Sequence, residues 1–249
     1  ETFFFHPEFV NNFIKRKKYT VTAVALVTSI PKKSSLSRYL VSKFYYLKIN
    51  EIVKLVIIYI KLFLKNSFTR KSKNIFSVES VLIKNNIPYF KVKNKINKKK
   101  YIEKIKNINP DIIISSNSLY LGKEILSIPN IMCINRHSSI LPSYKGLWPI
   151  FHAFINKEKF IGVSIHKMNN SIDGGDVISS ATIEIKSTDT IFSLYQKAFK
   201  ISVEELINAL DIIENNKSYK YSRNIKESYY SWPDKKDWKK FRKLNGKFI

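Results

Sequence analysis

The chain has 249 residues, 44% of them apolar and 14% aromatic, enough to bury one good core or two small ones and too apolar for a disordered polymer. Its single cysteine, Cys133, excludes an internal disulfide framework and a multi-cysteine metal site, and fits a reducing compartment. The formal charge of +25 attracts anionic partners such as nucleotides, RNA or acidic lipid. The lysines run along the whole length beside abundant Ile and Asn, so charge alone does not mark a nucleic-acid groove. The chain opens on Glu1 and shows no basic start, apolar core and small-residue cleavage site, so no secretory signal is read.

In chain order, Pro7–Lys17 reads as a helix with proline in its first turn. Thr20–Ser29 is β-branched and apolar, the pattern of a buried strand. A Pro/Lys/Ser loop at Ile30–Ser37 leads into one or two helices over Leu36–Asn66. Within them, the apolar run Ile52–Leu64 is 13 residues long, short of the roughly 18–20 that a membrane span needs. Lys54, Lys61 and Lys65 share one face of this basic amphipathic helix. It either packs on its own domain or lies in a membrane interface.

Val78–Asn85 reads as a helix, Pro88–Val92 as a strand, and Lys98–Ile108 as a helix ending before Asn109-Pro110. Asp111–Ser116 and Ile131–Asn135 are short buried strands separated by a helix at Gly122–Leu126. Cys133, inside the second run, reads as a buried structural thiol. Trp148–Ile155 suggests a helix, Gly162–His166 and Val177–Ile185 suggest strands, and Ser187-Thr188-Asp189 offers caps for a helix reaching Ile213. Strands alternating with helices argue for an α/β fold with a mostly parallel sheet and helices on both faces. The expected organisation is one domain over residues 1–214, with residues 215–249 as a basic, aromatic arm packed on it.

Residues 131–176 are the most informative stretch, because four of the six glycines (Gly146, Gly162, Gly174, Gly175) fall there. In so glycine-poor a chain, this clustering marks backbone geometry that other residues resist. Along a strand, Asn135 and His137 project to one side and Arg136 to the other. An amide and an imidazole placed together can donate to an oxygen that becomes anionic. A carboxylate nearby would orient the imidazole and favour its cation. Asp173 is the favoured candidate, with Asp176 competing, and His166 reads as a structural residue alternating with buried strand neighbours. His152 and His6 have no partner that sequence can name.

Asn135-x-His137-x-Ser139, Leu141-Pro142, Tyr144-Lys145-Gly146, Gly162-Val163-x-Ile165-His166 and Asp173-x-Gly175-Asp176, in that order, resemble the folate-dependent formyltransferases. The resemblance covers about residues 109–213, and the N-terminal part only in its strand–helix pattern. It implies a Rossmann-like formyltransferase fold, of whose first strand Thr2–Phe5 would be a truncated remnant. It also implies transfer of a formyl group from N10-formyltetrahydrofolate, without a metal, to a primary amine. Asn135 and His137 would stabilise the oxyanion, while Asp173 would keep His137 charged and relay the amine proton. The pterin would sit between Asn117, Ser118, Leu119 and Tyr120 on one side and Ile172, Gly174 and Gly175 on the other. Ser139, Tyr144 and Lys145 are expected on the substrate side, Lys145 either on an anionic group or simply exposed. The family usually has a small or apolar residue where Arg136 stands; turned inward, its charge would oppose a protonated His137.

For the acceptor, tRNA-acting members carry a sizeable C-terminal domain, whereas about 36 residues follow the last long helix here. The tail Ser228-Tyr229-Tyr230-Ser231-Trp232-Pro233 looks like the arm of formyltransferase-like proteins of surface-polysaccharide synthesis. This favours a nucleotide-linked amino sugar over methionyl-tRNA or glycinamide ribonucleotide. The alternatives of other kinds are a non-catalytic folate- or nucleotide-binding module and a formyltetrahydrofolate hydrolase. The expected setting is cytoplasmic, with two further contacts open: the inner membrane face through residues 36–66, and a second copy in a homodimer.

Overall fold

The computed structural model describes residues 4–28, 46–68, 77–93, 95–117, 119–219 and 225–249. The loop expected at Ile30–Ser37, the opening of the 36–66 helix, and Ser118 lie outside them. The chain divides into two compact units, residues 1–101 with 248–249, and residues 102–247.

In the first unit, Thr2 and Phe3 of the expected strand remnant lie outside the described residues, and Phe4 and Phe5 form a turn leading into α1, His6–Lys15. Proline in its first turn lacks only an N–H that no helix could use. β1 (Val24–Thr28) pairs in parallel with β2 (Tyr89–Lys93), Val24 opposite Tyr89. Between them come α2, Ile49–Phe68, and α3, Val78–Lys84. Ser77 and Ser80 form a reciprocal capping box at the start of α3, whose Val81 and Leu82 are buried without exposure. Glu51 on α2 is buried because it accepts from the backbone N–H groups of Lys48 and Phe248, at 2.9 and 2.8 Å.

The charge is not shared evenly. Residues 1–101 hold 22 Lys and Arg against 4 Asp and Glu, a formal +18; residues 102–247 hold 22 against 15, a formal +7. The bases are spread as the sequence suggested, but the acids are concentrated in the second unit.

The boundary falls inside α4, Lys99–Ile108. The second unit continues with β3 (Ile112–Ser115), α5 (Lys123–Leu126), β4 (Met132–His137), β5 (Lys145–Gly146) and α6 (Pro149–Ile155). β6 (Phe160–Lys167), β7 (Val177–Glu184), α7 (Ile191–Glu214), β8 (Tyr229–Tyr230) and α8 (Lys235–Lys243) complete it. The sheet order is β3-β4-β6-β7. β3 and β4 are parallel, as the intervening helix requires, while β6 is antiparallel to both β4 and β7. The mostly parallel character expected is carried by the β1–β2, β3–β4 and β5–β8 pairs, and among the described residues the antiparallel pairing is confined to β6. Only the turn 168–176, with no crossover helix, links β6 to β7.

Helix α7 packs against β6 and β7, and α6 packs against α7 and α8. On the other face, Cys133 Sγ lies 3.8 Å from the Ile125 carbonyl of α5. Burial pushes its thiol up to about 12, which makes it the inert structural cysteine expected. The α7 N-cap is Thr190, boxed with Ser193, rather than the expected 187–189 run. Residues of the tail are part of this core. Trp238 and Phe241 of α8 lie 4.8 and 5.0 Å, ring to ring, from Phe151 of α6.

Candidate active site

Parallel strands β3 and β4 end on one edge of the sheet, where α/β folds gather their ligands. β4 does not stop at Asn135 but runs on through His137, because β6 pairs with it there: Asn135 opposite His166, and His137 opposite Ser164. Asn135 and His137 therefore share a face, and Arg136 points to the other. Arg136 is buried against α7. Its Nε donates to Ser202 Oγ at 2.9 Å, and its guanidinium stands 3.8 Å over the Phe199 ring.

Four side chains converge. Asn135 Nδ2 donates to Asp173 Oδ1 at 3.3 Å and lies 3.1 Å from His166 Nε2. His166 Nδ1 donates to the Lys167 carbonyl at 3.0 Å, which leaves Nε2 to accept from Asn135. Reversing the amide would set its oxygen against the Asp173 carboxylate, so charge decides this orientation. Asp173 Oδ2 accepts from the Gly146 N–H at 2.9 Å and stands 3.6 Å from His137 Nδ1. His137 Nε2 donates to the Tyr144 carbonyl at 2.9 Å. Of the two candidate carboxylates, Asp173 is the one brought into the cluster. Asp176 is exposed and meets Lys167 through its backbone carbonyl.

The electrostatics differ from the sequence reading. Burial pushes the His137 imidazole below its ordinary value, outweighing the opposing Asp173 carboxylate and Tyr144 carbonyl; Arg136 adds a small effect in the same direction as burial. His137 is therefore neutral at neutral pH in the protein alone, not held charged by Asp173. For Asp173, burial is the largest single influence and acts upward. The His166 ring, with Nε2 3.5 Å from Oδ1, the charge of His137 once it is protonated, and the Gly146 N–H together overcome it and bring the carboxyl down to about 2.

The backbone explains the glycines. Gly146 has φ +91°, and a Cβ there would stand 2.2 Å from the Tyr230 carbonyl oxygen. At Gly175 a Cβ would stand 1.8 Å from the Lys167 carbonyl oxygen, so the turn bearing Asp173 closes onto β6 only without a side chain. The tail builds the same loop. Ser228 Oγ accepts from Tyr144 N, and the Ser228 and Tyr230 carbonyls accept from Lys145 N and Leu147 N, all within 2.9 Å. His152, without a nameable partner in sequence, stacks on Tyr230 at 4.5 Å and donates from Nε2 to the Ser231 carbonyl at 3.0 Å.

The other expected residues divide. Asn117 Oδ1 accepts from Leu119 N at 2.7 Å, folding the loop after β3, and Tyr120 and Ile172 are exposed. Gly174 is exposed on the turn. Ser139 is buried and donates to the Ser143 carbonyl at 2.8 Å, so it braces the loop rather than facing a substrate. Tyr144 contributes its carbonyl to His137, while its phenol donates to Glu158 at 2.6 Å. Lys145 is neither solvated nor available to an anion as it stands: Nζ pairs with Glu227 at 2.6 Å. Two contributors escaped the sequence reading, His166 and Ser115. Ser115 is the register partner of Asn135 in the parallel pair, so their side chains share a face. Asn135 Oδ1 and Ser115 Oγ are buried with no hydrogen-bond partner among the described residues. Leaving such atoms unmatched costs ~1–3 kcal/mol each, which a bound donor recovers.

The family model for formyl transferases matches residues 50–210, more than half of the chain. The chain belongs to the formyl transferase family. The match begins well before residue 109, inside α2, where the resemblance lay only in the strand–helix pattern. The bifunctional polymyxin resistance protein ArnA of Wigglesworthia glossinidia brevipalpis is 36% identical over 175 residues, covering 65% of this chain and 27% of that protein. A Clostridioides difficile methionyl-tRNA formyltransferase is 36% identical over 155 residues, covering 62% and 50%. The chain thus spans half or less of the length of these two curated relatives. The fold is shared with a sugar N-formyltransferase from Shewanella, at a TM-score of 0.51 and 20% identity over 85% of this chain and 77% of the other.

Proposed function

We propose that this member of the formyl transferase family moves a formyl group from N10-formyltetrahydrofolate to a primary amine carried on a nucleotide-linked sugar. The observation that carries the reading is the buried cluster of Asn135, His137 and Asp173, in which Asn135 Oδ1 is left without a hydrogen-bond partner among the described residues. That atom and Ser115 Oγ fit a ligand that brings its own donors, as an amine or a pterin does. When bound, the folate supplies an activated formyl carbonyl.

The residues of the chain do the rest. Asn135 Oδ1 accepts one N–H of the incoming amine and orients its lone pair. His137 Nδ1 carries no hydrogen while Nε2 donates to Tyr144, so Nδ1 takes the proton that the amine loses and would return it to the folate nitrogen that leaves as its bond to the formyl carbon breaks. Asp173, 3.6 Å away, stabilises the imidazolium so formed, and the Gly146 N–H holds that carboxylate in place. His166 occupies one Nδ2 hydrogen of Asn135, which keeps the amide from rotating. Stabilisation of the negative carbonyl oxygen by Asn135 Nδ2 or His137 requires either group to leave its present partner. The loop 117–120 and the Ile172–Gly175 turn border the pterin.

The sugar acceptor rests on the tail. Tyr229 pairs in register with Lys145, and Tyr229 and Trp232 are 58% and 46% exposed, offering faces on which a base or sugar stacks. The test is incubation with N10-formyltetrahydrofolate and, separately, a panel of nucleotide-linked amino sugars and methionyl-tRNA, followed by mass spectrometry of the products. Formylation of one of the sugars is expected; formylation of methionyl-tRNA alone would reassign the acceptor.

A further inference from the structure

Helix α2 has two opposed apolar faces. Glu51 and Leu55 are buried, and Ile58 and Leu62, on the same side, are half-buried. On the other side, Ile49, Val53, Val56, Ile57, Ile60 and Leu64 are between 43% and 77% exposed. At 3.6 residues per turn these six fall within an arc of about 100°. Lys54 and Lys61, both exposed, line one flank of that arc. No helix among the described residues is long and apolar enough to cross a membrane.

We propose that this face of α2 is a docking surface for a bilayer rich in anionic lipid, with the helix lying in the plane of the interface. Two observations select that occupant. The first is the shape of the pattern: an apolar stripe roughly 24 Å long, flanked on one side by lysines whose stems can follow it while their ammonium groups reach the headgroups. The second is charge. The unit carrying α2 has a formal +18 in 101 residues, which favours a polyanionic surface and opposes close contact with a second equally basic copy. RNA would satisfy the charge but would leave six apolar side chains in water.

The test uses the full chain in a vesicle co-sedimentation assay, comparing phosphatidylglycerol–phosphatidylcholine vesicles with pure phosphatidylcholine. Binding is expected to be at least about tenfold tighter to the anionic vesicles and to weaken with salt. The double variant Ile57→Glu/Ile60→Glu should lose at least about tenfold in vesicle affinity with an unchanged thermal midpoint. Lys54→Glu/Lys61→Glu should lose at least about 25-fold, at roughly fivefold or more per lysine. Ile57→Ser/Ile60→Ser, which adds no charge, should fall between wild type and the Glu pair. Equal binding to neutral vesicles, or no binding to either, overturns the proposal. So does a folded wild type that sediments as a dimer dissolved by the Ile57/Ile60 variants, or one that binds RNA but no vesicle. Loss of the folded state in both the Ser and Glu variants would show that the chain itself covers this face, and overturns it equally.

Discussion

The Gly146 N–H donates to Asp173 Oδ2 over 2.9 Å, and that one bond joins the loop shaped by the C-terminal segment to the carboxylate facing His137. Gly146 can serve because φ +91° aims its amide at Asp173 while its missing side chain lets Tyr230 pass. Gly146→Ala should therefore cost about 1–3 kcal/mol through strain and the lost β5–β8 pairing. Turnover should fall more than stability alone explains, because Asp173 loses its anchor. A denaturant titration and steady-state kinetics on the same preparation measure the two effects.

Activity should follow the unprotonated form of His137. Because burial holds its pKa below 6.5, kcat/KM should be flat at neutral pH and fall as pH drops through that lowered value. Asp173 opposes the shift, so Asp173→Asn should lower the rate and move the acid limb to still lower pH. A limb moving to higher pH in the variant would contradict the assigned role.

Asp173 also links folding to pH. Its pKa is depressed from 3.8 to about 2, so the folded state binds fewer protons than the unfolded chain between those values. The stabilisation, about 2 kcal/mol, is complete above the unfolded value and is lost as pH falls toward the folded one. The stability difference between wild type and Asp173→Asn should shrink by that amount on acidification from pH ~5 to pH ~2, as read by urea unfolding at each pH.

Arg136 lies behind the sheet, so removing its charge should leave the chemistry in place. Arg136→Met keeps much of the contact with Phe199 and loses the hydrogen bond to Ser202. It should cost about 1–2 kcal/mol of stability and change turnover less than about threefold. A loss above tenfold would show that the guanidinium acts on the site.

Much of this was legible in the sequence. Asn135 and His137 share a face because a strand alternates, and the crowded glycines mark Gly146 and Gly175, where a Cβ would collide with a carbonyl oxygen. His166 was not legible, because its role follows from standing opposite Asn135 in an antiparallel register that only tertiary pairing sets. Strand β4 outran its expected end for the same reason: Arg136 and His137 are poor strand signals, yet β6 holds them. The neutral state of His137 was missed because a nearby carboxylate is visible in a motif and burial is not. The tail was expected as an arm, and its helix α8 could have been found from Pro233-Asp234 with Asp237 three residues on, a boxed helix start.

The most direct measurement is release of tetrahydrofolate from N10-formyltetrahydrofolate, with and without an amino-sugar nucleotide, by wild type and by His137→Ala. We expect release only with the acceptor, and a loss of at least about 100-fold in the variant. Acceptor-independent release, or a His137→Ala rate near wild type, would contradict formyl transfer through this cluster.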